Sequence, residues 1–136
     1  MSGVLKARRL AEERARRVQP FTDFGLFADE VAGHFKIFND ERRGLIIDIS
    51  QIGLEEVQRF AASFMLRRIY REMFTWGQDS TMKLAVVLDE AHRMAKDVTL
   101  PKIMKEGRKY GVGVVVASQN AHDFHADVIG NAGTKI

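Results

Sequence analysis

The stretch from Leu84 to His92 constrains the fold of this chain more than any other, and it reads Leu-Ala-Val-Val-Leu-Asp-Glu-Ala-His. An unbroken apolar run of this length is typical of a strand that is buried on both faces of a parallel sheet, with helices on either side. Two carboxylates, Asp89 and Glu90, follow at the predicted carboxyl end of that strand. Because open α/β sheets bind their ligands at this end, the sequence predicts a functional site there.

The two adjacent carboxylates match the Walker B pattern of nucleoside triphosphatases. An acid at the strand tip can hold Mg²⁺ through its water shell, and a second acid beside it can orient or deprotonate the water that attacks a γ-phosphate. A structural interpretation also fits, because Asp is a favoured helix cap and Glu suits the first turn of a helix. The motif by itself leaves both interpretations open.

Composition limits the class of protein. The chain has 136 residues, which is the length of one domain, and it has no cysteine, which excludes disulfides and thiolate metal sites. No apolar run approaches the roughly 20 residues needed to cross a bilayer, and no apolar region of a signal peptide follows the basic start. We therefore expect a cytoplasmic protein with no membrane partner.

Charge is distributed unevenly along the chain. The formal net charge is +3, whereas the first eighteen residues carry +4. Residues 1–40 are predicted to form a basic helical segment, with a helix over Leu5 to Val18 that ends at Pro20 and a second short helix over Phe24 to Phe35. A basic helix of this kind can contact nucleic-acid phosphates, although a solvated helix face fits equally well.

Residues 41–136 alternate between predicted strands and predicted helices. This order indicates right-handed crossovers and a parallel sheet. The predicted strands are Leu45–Ile49, Leu84–Leu88, Val112–Ala117 and the start of a fourth at Thr134–Ile136. The predicted helices are a long amphipathic one over Leu54 to Phe74, one that Thr99 caps and Gly111 ends, and one over Ala121 to Ile129.

Polar and basic side chains flank the predicted strand Val112–Ala117. Ser118 and Gln119 follow it, where they can hydrogen-bond a γ-phosphate or the attacking water, or alternatively cap the next helix. Arg108 and Lys109 precede it, where cations are also favoured simply by the dipole of a helix C-terminus. Taken singly, these residues fit either a site or a structural role.

Taken together, the segments LAVVLDEAHRM, EGRKYGVGVVVASQN and IGNAGTKI resemble the HerA branch of the HerA–FtsK superfamily of P-loop ATPases, which form rings and move double-stranded DNA. The resemblance covers about Leu45 to Ile136. It implies ATP and Mg²⁺ as cofactors, with Asp89 as the Mg²⁺ acid, Glu90 as the catalytic carboxylate and Gln119 as the γ-phosphate sensor.

The same resemblance assigns roles to three further residues. Ser118, beside the sensor, would contact the nucleotide. Arg108 would be an arginine finger that reaches the nucleotide of the next subunit in a ring, and Lys109 would share or replace that role. The fold implied is an α/β, three-layer RecA-like (P-loop NTPase-like) parallel sheet with N-terminal helices, and residues 41–136 would be its Walker B to sensor part.

The chain departs from the family in one respect, because no G-x-x-x-x-G-K-[ST] motif occurs in it. In the family's strand order, 5-1-4-3-2, the P-loop strand would be missing, so the sheet would be incomplete and ATP would bind weakly or not at all. Two hypotheses follow. The chain is a truncated or split HerA-type ATPase and DNA-translocase module, or it is a non-catalytic nucleic-acid or protein interaction module on an α/β scaffold.

Several partners are expected on the first hypothesis. They are double-stranded DNA, a P-loop-bearing partner chain and a nuclease partner. The strand Val112–Ala117 would lie at a sheet edge with unpaired backbone groups, and such edges tend to be covered or paired. Either the N-terminal segments from Leu5 to Phe38 fold over this edge, or the same strand of a second chain pairs with it, and of the two we expect self-association.

Overall fold

The computed structural model describes residues 2–23 and 44–136. The chain divides into two compact units, Met1–Val57 and Gln58–Ile136. Among the described residues, no helix is both long enough and apolar enough to cross a membrane.

In the first unit, helix α1 spans Ser2–Asp23. Its side chains are exposed from residue 4 to residue 19. Two ion pairs at i,i+4 spacing support it, Arg8 with Glu12 at 3.3 Å and Arg17 with Glu13 at 2.9 Å. The prediction that the helix ends at Pro20 is wrong: proline removes one hydrogen bond, but its fixed φ is itself helical, so the helix continues to Asp23. The helix predicted over Phe24 to Phe35 lies outside the described residues.

The segment Leu45–Ile49, predicted as a strand, does not form one. Its Ile46 side chain is 95% exposed. The chain turns directly afterwards, because the Ser50 backbone N–H donates to Asp48 Oδ1 at 2.8 Å and the Ile52 N–H donates to the Ile49 carbonyl at 3.2 Å. An apolar run becomes a strand only when a neighbouring strand takes up its backbone hydrogen bonds, and among the described residues this segment has no such neighbour.

From residue 55 onward the chain alternates between helices and strands. The long amphipathic helix is confirmed to within a residue at each end. In order, the elements are α2 (Glu55–Met73), β1 (Asp79–Leu88), α3 (Leu100–Glu106), β2 (Tyr110–Val116) and α4 (Ala126–Asn131). Short 3₁₀ turns follow α2, β1 and α3 and precede α4.

The two strands pair in parallel, as predicted. Their register runs from Leu84 opposite Val112 to Leu88 opposite Val116, and it is irregular between Asp79 and Leu84. The described part of the chain is thus an α/β fold with a two-stranded parallel sheet and helices. The strand expected at residues 134–136 is not formed there.

Helices cover one face of this sheet in the described structure. Leu66 and Met73 of α2 and Leu100 and Ile103 of α3 are fully buried. On the sheet, Val86 and Val112 are buried, whereas Val87 and Val115 of the opposite face are 66% and 55% exposed. The prediction that both faces are buried is therefore wrong for the described residues, because a second covering layer is not among them.

The predicted boundaries after β1 and β2 shift by a few residues. Helix α3 ends at Glu106, not at Gly111, because a 3₁₀ turn over Gly107–Lys109 leads straight into β2. Gly111 is the second residue of β2 and has φ +74°. Helix α4 begins at Ala126, where His125 caps it by accepting the Asp127 N–H on its ring Nδ1 at 3.3 Å.

Candidate functional site

Backbone hydrogen bonds join the loops that follow the two strands. The Ala117 N–H donates to the Leu88 carbonyl at 2.9 Å, and the Ala91 N–H donates to the Ala117 carbonyl at 3.0 Å. These two bonds continue the parallel ladder past the ends of the strands. They hold the residues that follow β1 beside the residues that follow β2.

Two predicted site residues, 29 positions apart in the sequence, meet at this end of the sheet. Gln119 Nε2 donates to Glu90 Oε1 at 3.3 Å. Both side chains remain reachable from solvent. A carboxylate and an amide in contact at the carboxyl ends of neighbouring parallel strands are placed where open α/β sheets bind ligands.

Asp89 and Ser118 lie in the same two loops. Asp89 is exposed, and its Oδ1 accepts the Glu90 N–H at 2.9 Å. Ser118 Oγ accepts the Asn120 N–H at 3.3 Å, so its hydroxyl has the local turn-forming role that the structural interpretation of the sequence foresaw.

The carboxylates here are hard oxygen donors of the kind that suits hydrated Mg²⁺. Within residues 2–23 and 44–136, however, no three His, Cys, Asp or Glu side chains form a group able to hold a metal ion. The described side chains therefore do not build a metal site by themselves.

The backbone at Glu90 is in the left-handed region, with φ 49° and ψ 39°. It is the one non-glycine residue with positive φ in the described part of the chain. This conformation strains a residue that has a Cβ atom, and such strain collects at functional sites. With the backbone in this turn, the Glu90 carboxylate lies within hydrogen-bonding distance of Gln119.

We expect the strain at Glu90 to be measurable. Glu90→Gly should make the protein about 1 kcal/mol more stable than Glu90→Ala, because glycine adopts positive φ without a steric penalty. The two variants remove the same carboxylate and differ in the Cβ atom. Urea unfolding followed by circular dichroism measures both. Equal stabilities would show that Glu90 does not hold this conformation in solution.

A third residue, His92, contacts Glu90 and was missed by the sequence interpretation. Its Nδ1 lies 3.1 Å from Glu90 Oε2, so a protonated imidazole would form an ion pair there. The Nδ1 atom is buried and makes no hydrogen bond of good geometry within the described structure. Glu90 therefore lies between Gln119 on one side and His92 on the other. The sequence shows only that His92 lies two residues after Glu90. The left-handed turn that brings the imidazole ring beside the Glu90 carboxylate cannot be predicted from that spacing.

Arg108 and Lys109 are not brought to Glu90. Both are exposed in the 3₁₀ turn that precedes β2, at the opposite end of the strand from Gln119. Seven residues of strand separate the two ends, which is about 20 Å at roughly 3.3 Å per residue. A role for Arg108 or Lys109 at a nucleotide therefore requires a nucleotide held by another subunit.

Two curated proteins of Methanocaldococcus jannaschii are similar to parts of this chain. One is a probable DNA double-strand break repair helicase HerA, 35% identical over 41% of the chain and 12% of its own length. The other is the probable helicase MJECL08, 29% identical over 79% of the chain and 23% of its own length. The chain thus spans less than a quarter of the length of either relative.

No protein-family model matches the chain. No solved structure matches it either. The comparisons therefore show a partial similarity to two probable helicases, limited to a small part of those proteins.

Proposed function

We propose that this chain carries the Walker B and sensor part of a HerA-like ATPase site. The observation that carries the proposal is the contact between Glu90 and Gln119, at the carboxyl ends of adjacent parallel strands. The partial similarity to two helicases supports it. In the full proposal the chain belongs to a RecA-like core, and the assembled ATPase acts on double-stranded DNA together with a P-loop-bearing partner chain or a nuclease.

Each residue at the sheet edge has a proposed role. Bound MgATP would supply an electrophilic γ-phosphoryl group whose charge the cation partly neutralises. Asp89 would orient the cation through its water ligands, and Glu90 would accept a proton from the attacking water. Gln119, held against Glu90, would hydrogen-bond the γ-phosphate or that water and so sense its presence. His92 would keep the Glu90 carboxylate in position.

Three further residues complete the proposal. Ser118 would turn its hydroxyl from Asn120 to the nucleotide. Arg108, with Lys109 beside it, would stabilise the charge on a nucleotide of a neighbouring subunit, which fits the distance of both from Glu90 in the same chain. This part of the proposal requires self-association of the chain or assembly with related subunits.

The 136 residues contain no P-loop, and this limits what they do alone. A phosphate cradle supplies several charge-assisted hydrogen bonds at about 2 kcal/mol each. A micromolar ATP site that loses three of them, about 6 kcal/mol in all, binds with a dissociation constant of roughly tens of millimolar. We therefore expect nucleotide binding at Asp89 and Glu90 to be detectable only at high ligand concentration.

An NMR titration tests the site. With MgATP raised to about 50 mM, roughly twice the expected dissociation constant, the amide signals of residues 89–92 and 117–119 should shift together. Asp89→Asn should abolish these shifts, because it removes the charge that holds the cation. Asp127→Asn is the matched control, since Asp127 is an exposed carboxylate on α4. If these amides do not respond, the proposal fails and the non-catalytic interaction module is favoured.

The same protein should show no ATPase turnover above background, because Glu90 lacks a phosphate cradle to work against. Phosphate release measured with and without double-stranded DNA tests this expectation. Once a P-loop-bearing partner is supplied, Glu90→Gln should lower the turnover number by about 100-fold or more, as loss of a general base does. Turnover by the chain alone that Glu90→Gln removes would contradict the need for an external P-loop.

A further inference from the structure

A pocket of about 310 Å³ lies within the second unit. Helix α2 contributes one side of it, and the segment that enters α3 contributes the other. The residues that line it are Arg67, Tyr70, Arg71, Val98, Thr99 and Lys102. We refer to it as the α2–α3 pocket.

Three of the six lining residues of the α2–α3 pocket are cationic, and none is acidic. Arg67 and Arg71 are four residues apart on α2, where like charges repel and destabilise a helix. Lys102 lines the same space from α3, and all three cationic residues are exposed to solvent. Within the described structure, none of these three cations forms an ion pair with a carboxylate.

Carboxylates near the α2–α3 pocket in the fold have other partners. Glu72 accepts from Arg68 Nε at 3.0 Å. Asp97 accepts the Ser63 hydroxyl at 2.7 Å and two backbone N–H groups. Glu106 accepts the Tyr70 hydroxyl at 3.2 Å. Within the described structure, none of these three acids forms an ion pair with a cation that lines the pocket.

The other three lining residues are uncharged. Burial, and then the negative charge of Glu106, raise the pKa of Tyr70, so its hydroxyl stays protonated and its ring remains a neutral wall. Thr99 makes no capping hydrogen bond with its side chain, so its hydroxyl is not needed by α3. Val98 is 62% exposed and adds an apolar rim.

We propose that the α2–α3 pocket binds a phosphate group. The two guanidinium groups offer planar pairs of donors that match phosphate oxygens, and the lysine adds a point charge. The volume is at the low end for ligand sites, which suits one phosphate and an attached sugar better than a whole cofactor. The phosphate could belong to a small molecule or to the backbone of a nucleic acid. This inference does not depend on the proposed ATPase function.

The test compares two triple variants with the same change in net charge. Arg67→Ala, Arg71→Ala and Lys102→Ala remove the cations of the pocket. Lys96→Ala, Lys105→Ala and Lys135→Ala remove three exposed cations that do not line it. Inorganic phosphate is the first probe, and the amide signals of residues 67–71 and 98–102 are the readout.

In the unmodified protein, phosphate should shift these amides saturably. The pocket triple variant should bind at least about tenfold more weakly, since it loses several charge-assisted hydrogen bonds. The control triple variant should change the affinity by less than about twofold, because exposed charges at a distance are screened. Equal weakening in both variants, or shifts confined to other residues, would overturn the proposal.

A conservative variant keeps the test decisive if the pocket triple variant does not fold. Arg67→Lys with Arg71→Lys retains both charges but loses the paired donors, so phosphate should bind several-fold more weakly. Unchanged affinity would contradict the pocket geometry. A labelled DNA duplex then identifies the source: displacement of phosphate from these amides by the duplex assigns the pocket to a nucleic-acid backbone, and binding of phosphate without displacement assigns it to a small molecule.

Discussion

Gly111→Ala is expected to destabilise the second unit by about 3 kcal/mol, a large share of the roughly 5 to 15 kcal/mol that stabilises a typical domain. The added Cβ would lie 2.3 Å from the Thr81 carbonyl oxygen and 3.1 Å from the Lys83 backbone nitrogen. Both neighbours are backbone atoms of β1, so neither can move without disturbing the sheet. The φ of +74° adds strain for any residue other than glycine.

Gly77→Ala provides the matched control. Gly77 has almost the same φ, +72°, but an added Cβ there has nothing within 4 Å. It should therefore cost only the backbone strain of a non-glycine residue at φ 72° and ψ 166°, about 2 kcal/mol, and less than Gly111→Ala. Urea unfolding measures the free energy of unfolding of both variants. Equal losses of stability would show that the backbone of β1 is farther from Gly111 than these distances state.

Asp97→Ala is expected to cost about 2 to 3 kcal/mol, because three hydrogen bonds lose their acceptor at about 1 kcal/mol each. Asp97 Oδ1 accepts the N–H groups of Thr99 and Leu100 at 2.7 Å and 2.9 Å, and Oδ2 accepts the Ser63 hydroxyl at 2.7 Å. The side chain thus starts α3 and ties it to α2. Thermal and urea unfolding measure the loss.

Thr99→Val is the control for this second prediction. Thr99 precedes Leu100 and is the helix cap that the sequence predicts, but its side chain makes no capping hydrogen bond. Replacing its hydroxyl by a methyl group of similar size should change the stability by less than about 0.5 kcal/mol, whereas removal of a true cap costs about 1 kcal/mol. If Thr99→Val loses more stability than Asp97→Ala, then Thr99 and not Asp97 caps α3.

Local sequence patterns do not decide which residue caps the start of α3. Asp97 and Thr99 are both favoured capping residues close to the start of the same helix, and propensity gives no reason to prefer the first. The choice depends on Ser63, 34 positions earlier, whose hydroxyl fixes the Asp97 carboxylate. A contact over that distance in sequence belongs to the tertiary structure.

The sequence by itself determined the elements whose signal is periodic or continuous. The amphipathic pattern gives α2, and the apolar runs give β1 and β2 and their parallel pairing. It also determined that the residues after β1 and after β2 lie close together, because parallel strands place their carboxyl ends at one edge of a sheet. The contact between Glu90 and Gln119 lies at that edge.

Only the tertiary structure decided the features that depend on partners distant in sequence. The run Leu45–Ile49 is as apolar as β1, yet a strand forms only where another strand accepts its hydrogen bonds. The left-handed turn at Glu90 and the return of His92 to it arise from the way the loop after β1 bonds to Ala117. The cations of the α2–α3 pocket come from two helices, α2 and α3. The distance between these helices is set by side-chain packing and not by helix propensity, so no local sequence pattern predicts it.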